Sequence, residues 1–385
     1  MRSTLSLALA VAGAGVLSGS AEAASTFFGG TFDLRAGYGR NPQLRTGLSG
    51  DSPVFGGRLD AVLTRLTGKG RTTLSGTADI TQSTKIYGRT ENYLVQLSQQ
   101  QQISARIAGS ADVSYSDTTN PAANYGTTAR DLVPIGDVLT LGQHSRQLAG
   151  DVNASWQMDA KDLFQGAVNA SHTSFDSVVA SSYTQYGGSF GYLRTINART
   201  RIGFQLSGLK IRSDSYPGSS SFQGGLQLTQ KLSQAWTFQG GVSGVLQKAN
   251  GGSFKTIGFN GSLCGDYPRY TICVIGSRQS APSGIGGLRN DTQGSVRINY
   301  KLSARSQING EITYDISNAK GIALATQRYY DAALSYRRTI RPRISAGFSA
   351  RYQRRDIGAI GVIPGTKVNG YTGTADISYQ FGRTS

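Results

Sequence analysis

The chain has 385 residues, with 39 Lys plus Arg against 22 Asp plus Glu, a formal charge of +17, 51 Gly and only 38% apolar residues. No stretch beyond the signal-like start approaches the roughly 20 consecutive apolar residues of a membrane helix, which excludes a helical membrane protein. The 19 Tyr and 14 Phe, with abundant Ile, Leu and Val, exclude a disordered chain, while the low apolar fraction argues against a solid-cored globular enzyme.

Residues 1–23 read as a secretory signal peptide. Met1-Arg2 is basic, Leu5 to Leu17 is apolar, and Ala21-Glu22-Ala23 supplies small residues for cleavage. The expected mature chain, 24–385, starts near Ala24 and is exported, so its two cysteines meet an oxidising compartment. Loss of the signal removes Arg2 and Glu22 together and leaves the charge at +17.

From Thr31 onward, segments of roughly ten residues alternate apolar with small or polar side chains, the period of a strand with one greasy and one wet face. Ile308, Gly310, Ile312, Tyr314 and Ile316 share one face, against Gln307, Asn309, Glu311, Thr313 and Asp315. The same parity separates Ile344, Ala346, Phe348, Ala350 and Tyr352 from Arg343, Ser345, Gly347, Ser349 and Arg351. It also separates Trp236, Phe238, Val242 and Leu246 from Thr237, Gln239 and Ser243. The second face is too polar for the interior of a soluble sandwich, whereas a membrane barrel turns such faces to a wet lumen.

Tight turns are expected near Thr67–Arg71, Gln99–Gln102, Asp159–Asp162, Asn197–Thr200, Ser233–Ala235, Gly265–Tyr270, Ser303–Ser306 and Thr339–Pro342. With a first strand near Thr31–Tyr38 and a last near Asn369–Phe381, this spacing predicts an all-β, transmembrane, antiparallel up-and-down β-barrel. About 18 strands are expected, 16 being the alternative, with both chain ends on the short-turn side. A barrel of this size leaves a water-filled lumen unless plugged. The roughly seven residues between the signal and the first strand are too few for a plug domain.

The longest connection, about Asp117 to Ser145, contains an apolar centre, Leu132 to Leu139. It is expected either to fold into the barrel, placing Arg130, Asp131 and Asp137 across the pore as a constriction, or to lie outside as a cap. Pore-lining candidates are Arg35, Arg58, Arg106, Arg297, Arg343, Arg351 and Arg355. Inward acids such as Asp33, Asp60, Asp79, Asp112, Asp151, Glu311, Asp315, Asp331 and Asp376 make the lumen wall mixed in sign, with cross-strand pairing. The basic surplus of the C-terminal third either lines one side of the pore or meets lipopolysaccharide phosphates at the rim. Nucleic acid is not an expected partner of an exported barrel. Cys264 and Cys273 fall opposite one another across a hairpin turning at Tyr267–Tyr270, both pointing inward, which predicts a structural disulfide.

No metal or cofactor is expected, since the chain has neither a CxxC nor a Cys-His cluster. His144-Ser145 and His172-Thr173-Ser174 lack the orienting partner of a catalytic base and nucleophile, so no enzyme is expected.

In this pattern the chain resembles a Gram-negative outer-membrane β-barrel. The last strand, Thr372 to Phe381, ends in Tyr379-Gln380-Phe381, similar to the aromatic-terminated assembly signal of such barrels, although Gly382-Arg383-Thr384-Ser385 follow it. The opening strand, Phe32 to Pro42, is similar to the start of exopolysaccharide-associated export barrels. The resemblance implies an outer-membrane location, contact with outer-membrane lipid and lipopolysaccharide, and handling by the barrel-assembly machinery. It also implies a channel, read first as a conduit for polysaccharide working with periplasmic export components. The alternative is a general or anion-preferring diffusion porin, and a structural or binding barrel without transport comes third.

Overall fold

A computed structural model describes residues 25–382 apart from 43, 45–46, 48–49, 85–86, 120–143, 177–179, 216, 250, 284–286, 320–325 and 359–364. The proposed signal peptide therefore lies outside the described residues, as does the apolar centre of the longest connection, with Arg130, Asp131 and Asp137.

Eighteen antiparallel strands follow one another in chain order: β1 (Ser25–Arg40), β2 (Asp51–Thr67), β3 (Gly70–Ser83), β4 (Gly88–Gln102), β5 (Ile107–Thr118), β6 (Ser145–Gln157), β7 (Asp162–Phe175), β8 (Tyr183–Asn197), β9 (Thr200–Ser213), β10 (Ser219–Lys231), β11 (Trp236–Ala249), β12 (Gly252–Asp266), β13 (Tyr270–Ser283), β14 (Gly287–Ser303), β15 (Ser306–Ala319), β16 (Gln327–Arg341), β17 (Ile344–Ile357) and β18 (Thr366–Gly382). Each strand pairs with its chain neighbours, and β1 pairs with β18 from Gly29↔Gly382 to Arg40↔Tyr371, closing the ring. Closure leaves no end strand to recruit another chain. The start of β1 at Ser25, the end of β18 at Gly382 and the short connections lie at one end of the barrel, as the spacing predicts. At the seam Gly382 has a φ of 73° and sits against the Phe28 carbonyl, where a Cβ has no room.

Alternation decides which way each side chain points. The outward set includes Leu226, Val242, Ile257 and Ile377, among the most exposed large hydrophobic residues. Rings form a girdle at the short-turn end. Phe164 lies 5.6 Å from Trp156 and 5.1 Å from Tyr192, Phe28 lies 5.9 Å from Phe381, and the Trp236 indole donates to the Tyr267 hydroxyl at 2.8 Å. An exposed apolar band edged by such rings matches a hydrocarbon layer and its interfaces. Tyr379 and Phe381 belong to this outer face.

The short turns carry their own order. In the turn after β6, the Asp159 carboxylate accepts from the backbone N–H groups of Lys161 and Asp162, which hold it below the usual carboxylate range. The turn expected at Gln99–Gln102 lies at residues 103–106, because β4 continues through Gln102. Later in the chain, at the same end of the barrel, β16 runs to Arg341 and the turn is Pro342-Arg343.

Among the described residues there is no central apolar core. The buried apolar side chains instead sit inside the long-loop end of the barrel, at two places that face one another.

Candidate functional site

The first place is the tip of the β13–β14 hairpin. The two strands stay paired up to Ser283↔Gly287, but β13 leaves β12 after Phe259↔Arg278. Above that point the hairpin bends inward and lies on the inner face of β9–β11. Leu288 packs into a buried cluster with Ile211 and Ala249, flanked by Tyr183 and Leu209. The Gln247 amide donates to Ser280 and to Asn290, and the Ser221 and Ser280 hydroxyls lie 3.4 Å apart. Ser280, Leu288 and Asn290 share the parity that faces lipid lower in the same strands. At the tip this face is turned onto protein, which explains why it is largely polar.

The second place is the connection between β1 and β2. Asn41 and Leu44 adopt positive φ, 42° and 51°, and the Leu44 N–H closes a turn on the Asn41 carbonyl at 3.0 Å. The Tyr87 hydroxyl, fully buried, accepts from the backbone of Asn41 at 3.0 Å and of Gly50 at 2.9 Å, and donates to the Gly50 carbonyl at 2.6 Å. Leu44 is 2% exposed and lies beside Gly370, where a Cβ would strike the Asn41 carbonyl. Gly370 belongs to the inner face of β18, so this segment also folds inward. In a ring of 18 strands β1 stands opposite β10. The long-loop mouth is thus narrowed from two opposite sides.

Below the mouth the wall has two arcs. From β13 through β18 to β3 the inner face is laced with ion pairs. Arg35 reaches across Gly56 to Asp79 and Thr81, and Arg58 is held by Asp60 at 2.7 and 2.9 Å. Arg297 meets Glu311 at 2.8 Å, Arg337 meets Asp376 at 3.2 Å, and Arg351 grips Asp331 at 2.6 to 3.1 Å. The Gln353 carbonyl accepts from the Tyr329 hydroxyl at 2.5 Å and from Arg351 at 3.0 Å. Arg355, 5% exposed, stands opposite Tyr329 and Val368 in register. Two acids, Asp112 and Asp151, oppose one another on β5 and β6.

From β7 to β12 the inner face is almost uncharged. Apart from Arg201, Lys231 and Asp266 near the short turns, it presents Gln, Ser, Thr, Asn, Gly and a few apolar residues. A cavity of about 670 Å³ runs along the short-turn end of the wall from β3 to β10, lined by Gln100, Ser110, Asn153, Gln165, Ser189, Gln205 and Gln227, with Lys69 and Arg71 at one side. Gln227 donates to Gln205 within this row. Amides and hydroxyls of this kind both donate and accept, which suits uncharged polar solutes and water.

Of the arginines singled out from sequence, Arg35, Arg58, Arg297, Arg351 and Arg355 occupy inner-face strand positions. Arg106 and Arg343 do not. Both sit in short turns at the rim, because the strands before them run on past the expected ends, and Arg106 donates to the Met158 carbonyl of the neighbouring turn at 3.3 Å. Cys264 and Cys273 face one another in the β12–β13 register with Cα atoms 4.2 Å apart and are bonded. His144 and His172 contact Asp117 and Thr184 on the outer face. Among the described residues no His, Cys, Asp and Glu cluster could hold a metal.

Two features escaped the sequence reading. The glutamine row follows from strand parity and was open to inspection. The folded hairpin had a weaker signal, namely polar Arg278, Ser280, Asn290 and Thr292, with Pro282, at positions that parity assigns to lipid.

No protein-family model matches the chain, and no curated protein matches it. Among solved structures it is similar to OpdQ of Pseudomonas aeruginosa, with a TM-score of 0.48, 6% identity, and 93% of this chain and 98% of that one covered. It is similar also to a BenF-like porin of Pseudomonas fluorescens Pf-5, with a TM-score of 0.48, 12% identity and coverage of 93% and 99%. The siderophore receptor PirA of Pseudomonas aeruginosa matches with a TM-score of 0.45, 8% identity and coverage of 93% and 80%. Likenesses this distant assign no function.

Proposed function

We propose that the protein is an outer-membrane diffusion channel for small polar solutes. The observation that carries this reading is a closed wall, apolar outside and polar inside, whose long-loop mouth is narrowed by inward-folded backbone on two opposite sides. An apolar belt edged by rings belongs in a bilayer, and the long loops of such barrels face the outside of the cell. A polar lumen with a local narrowing passes small hydrated solutes and selects among them by size and by lining charge. The uncharged arc gives a sugar-like solute hydrogen-bonding partners, and the ion-paired arc holds the opposite wall in shape. Export of a polysaccharide, the first expectation from the sequence, finds no support in this geometry. Small-solute diffusion fits the narrowed mouth better.

The test is single-channel recording of the refolded mature chain in a planar bilayer, beside a variant in which Gln279–Arg289 is replaced by a tight turn. Steady openings are expected from both, with conductance increased about twofold in the variant. A protein that inserts but conducts no ions would overturn the channel reading. Equal conductance from the two proteins would remove the hairpin tip as a constriction.

A further inference from the structure

Among the described residues, the outer face of the barrel carries one group of four strand cations with a single acid near it, Asp214, which follows Arg212 just beyond the end of β9. At the long-loop end Lys210 and Arg212 on β9, Lys248 on β11 and Lys255 on β12 are all exposed and share the outward parity of Phe204, Leu246 and Ile257. Register places them close together. Lys210 opposes Ser220, which opposes Lys248 on its other side, and Lys255 opposes Leu246. The outward positions of β8–β12 hold no Asp or Glu.

Elsewhere at this end most outward cations have acids beside them, the exception being Arg278, whose guanidinium donates to Thr256 at 3.4 Å where the β13–β14 hairpin turns inward. Arg89 meets Glu91 at 2.6 Å, Arg146 meets Asp117 and Asp176 at 3.2 Å, and Arg354 meets Asp356 at 3.0 Å. Arg40 opposes Asp51, while Arg328 and Lys367 flank Asp356 in register. The β9–β12 patch is therefore a local surplus of positive charge that internal pairing does not use.

Its height fits the headgroup layer. Lys248 is twelve residues above Trp236 on β11, about 30 Å along the barrel axis at ~3.4 Å per residue and a ~40° tilt. The apolar band of such barrels is about 25 Å tall, so the ammonium groups emerge just beyond it, with their aliphatic stems lying along the belt. The wall behind them is the one against which the β13–β14 tip packs, which gives the patch a braced scaffold.

We propose that Lys210, Arg212, Lys248 and Lys255 form a binding patch for the phosphates of the glycolipid in the outer leaflet. This rests on the outer-membrane reading above. Clustered Lys and Arg at a membrane surface attract anionic headgroups additively, and a phosphorylated disaccharide headgroup offers several negative oxygens at this depth.

The test uses the full mature chain and a K210Q/R212Q/K248Q/K255Q variant, with R328Q/K367Q as a control that keeps the patch. Each is mixed in detergent with bisphosphorylated lipid A, with its dephosphorylated form or with phosphatidylglycerol, and retained lipid is measured by native mass spectrometry. Wild type and control should retain bisphosphorylated lipid A about tenfold better than the dephosphorylated form, and the quadruple variant should lose that preference. Equal retention by the quadruple variant overturns the patch. Equal retention of phosphatidylglycerol by wild type overturns the glycolipid assignment. Heat-modifiable gel mobility and insertion into liposomes are read on the same samples. A wild-type chain that fails to insert defeats the membrane reading and this inference together, whereas insertion without lipid A preference defeats this inference alone.

Discussion

Neighbouring residues on one strand have opposite surroundings, and Leu226 and Gln227 on β10 show it most clearly. Leu226 is 71% exposed on the outer face, while Gln227 lines the lumen cavity and donates to Gln205. Leu226→Arg puts a charge near the middle of the apolar band and is expected to cost roughly 2–4 kcal/mol. Gln227→Arg enters a wet lumen and is expected to cost well under 1 kcal/mol, because its charge stays hydrated. Urea unfolding of both variants in lipid vesicles measures the difference. Equal costs would mean that the inside and outside assignments are wrong. These assignments were legible in the sequence for most of the chain, since a period of two is a local property. They failed at Arg106 and Arg343, where the fault lay in strand ends rather than in parity.

At the scale of elements, the β12–β13 seam is the most informative. Its lower half is paired and bonded through Cys264–Cys273, whereas its upper half parts after Phe259↔Arg278 so that the β13–β14 tip can turn inward. The disulfide thus lies within the rungs, Phe259↔Arg278 to Asp266↔Thr271, that pair these two strands among the described residues. Loss of a closure this short is worth about 2–3 kcal/mol by the chain-entropy argument. In a C264S/C273S variant the amides of Phe259 to Asp266 are expected to exchange faster with deuterium, while those of β2 and β3 keep their protection. Unchanged exchange at the seam would show that the remaining ladder suffices. The facing pair of cysteines could be read from the hairpin alone, but the parting of the strands above could not. The polar residues from Arg278 to Thr292 on the lipid-facing parity hint at it without showing where the tip goes, because its partners, Ile211, Gln247 and Ala249, lie on other strands.

Across the whole molecule, the +17 charge of the chain does not become a positive lumen. Arg297 and Arg351 face Glu311 and Asp331 across short distances, and the opposite arc is nearly neutral. Selectivity should therefore depend on a few carboxylates. An E311Q/D331N double variant removes two negative charges from the ion-paired arc and is expected to raise the chloride-to-potassium permeability ratio severalfold. Reversal potentials in a salt gradient measure it. An unchanged ratio would place the selective region elsewhere, with the narrowed mouth as the next site to test.

The sequence by itself determined the alternation of faces, a count of about 18 strands, the side on which the first strand starts and the last one ends, and the pairing of the cysteines, because each depends on spacing within one strand or one hairpin. The closed ring decided 18 over 16. Only the tertiary structure decided that the β13–β14 tip and the β1–β2 connection fold inward, that the lumen divides into a charged and an uncharged arc, and that four outward cations gather on β9–β12. These features depend on register between strands far apart in the chain and on packing across the ring. Closure of the barrel sets both at once.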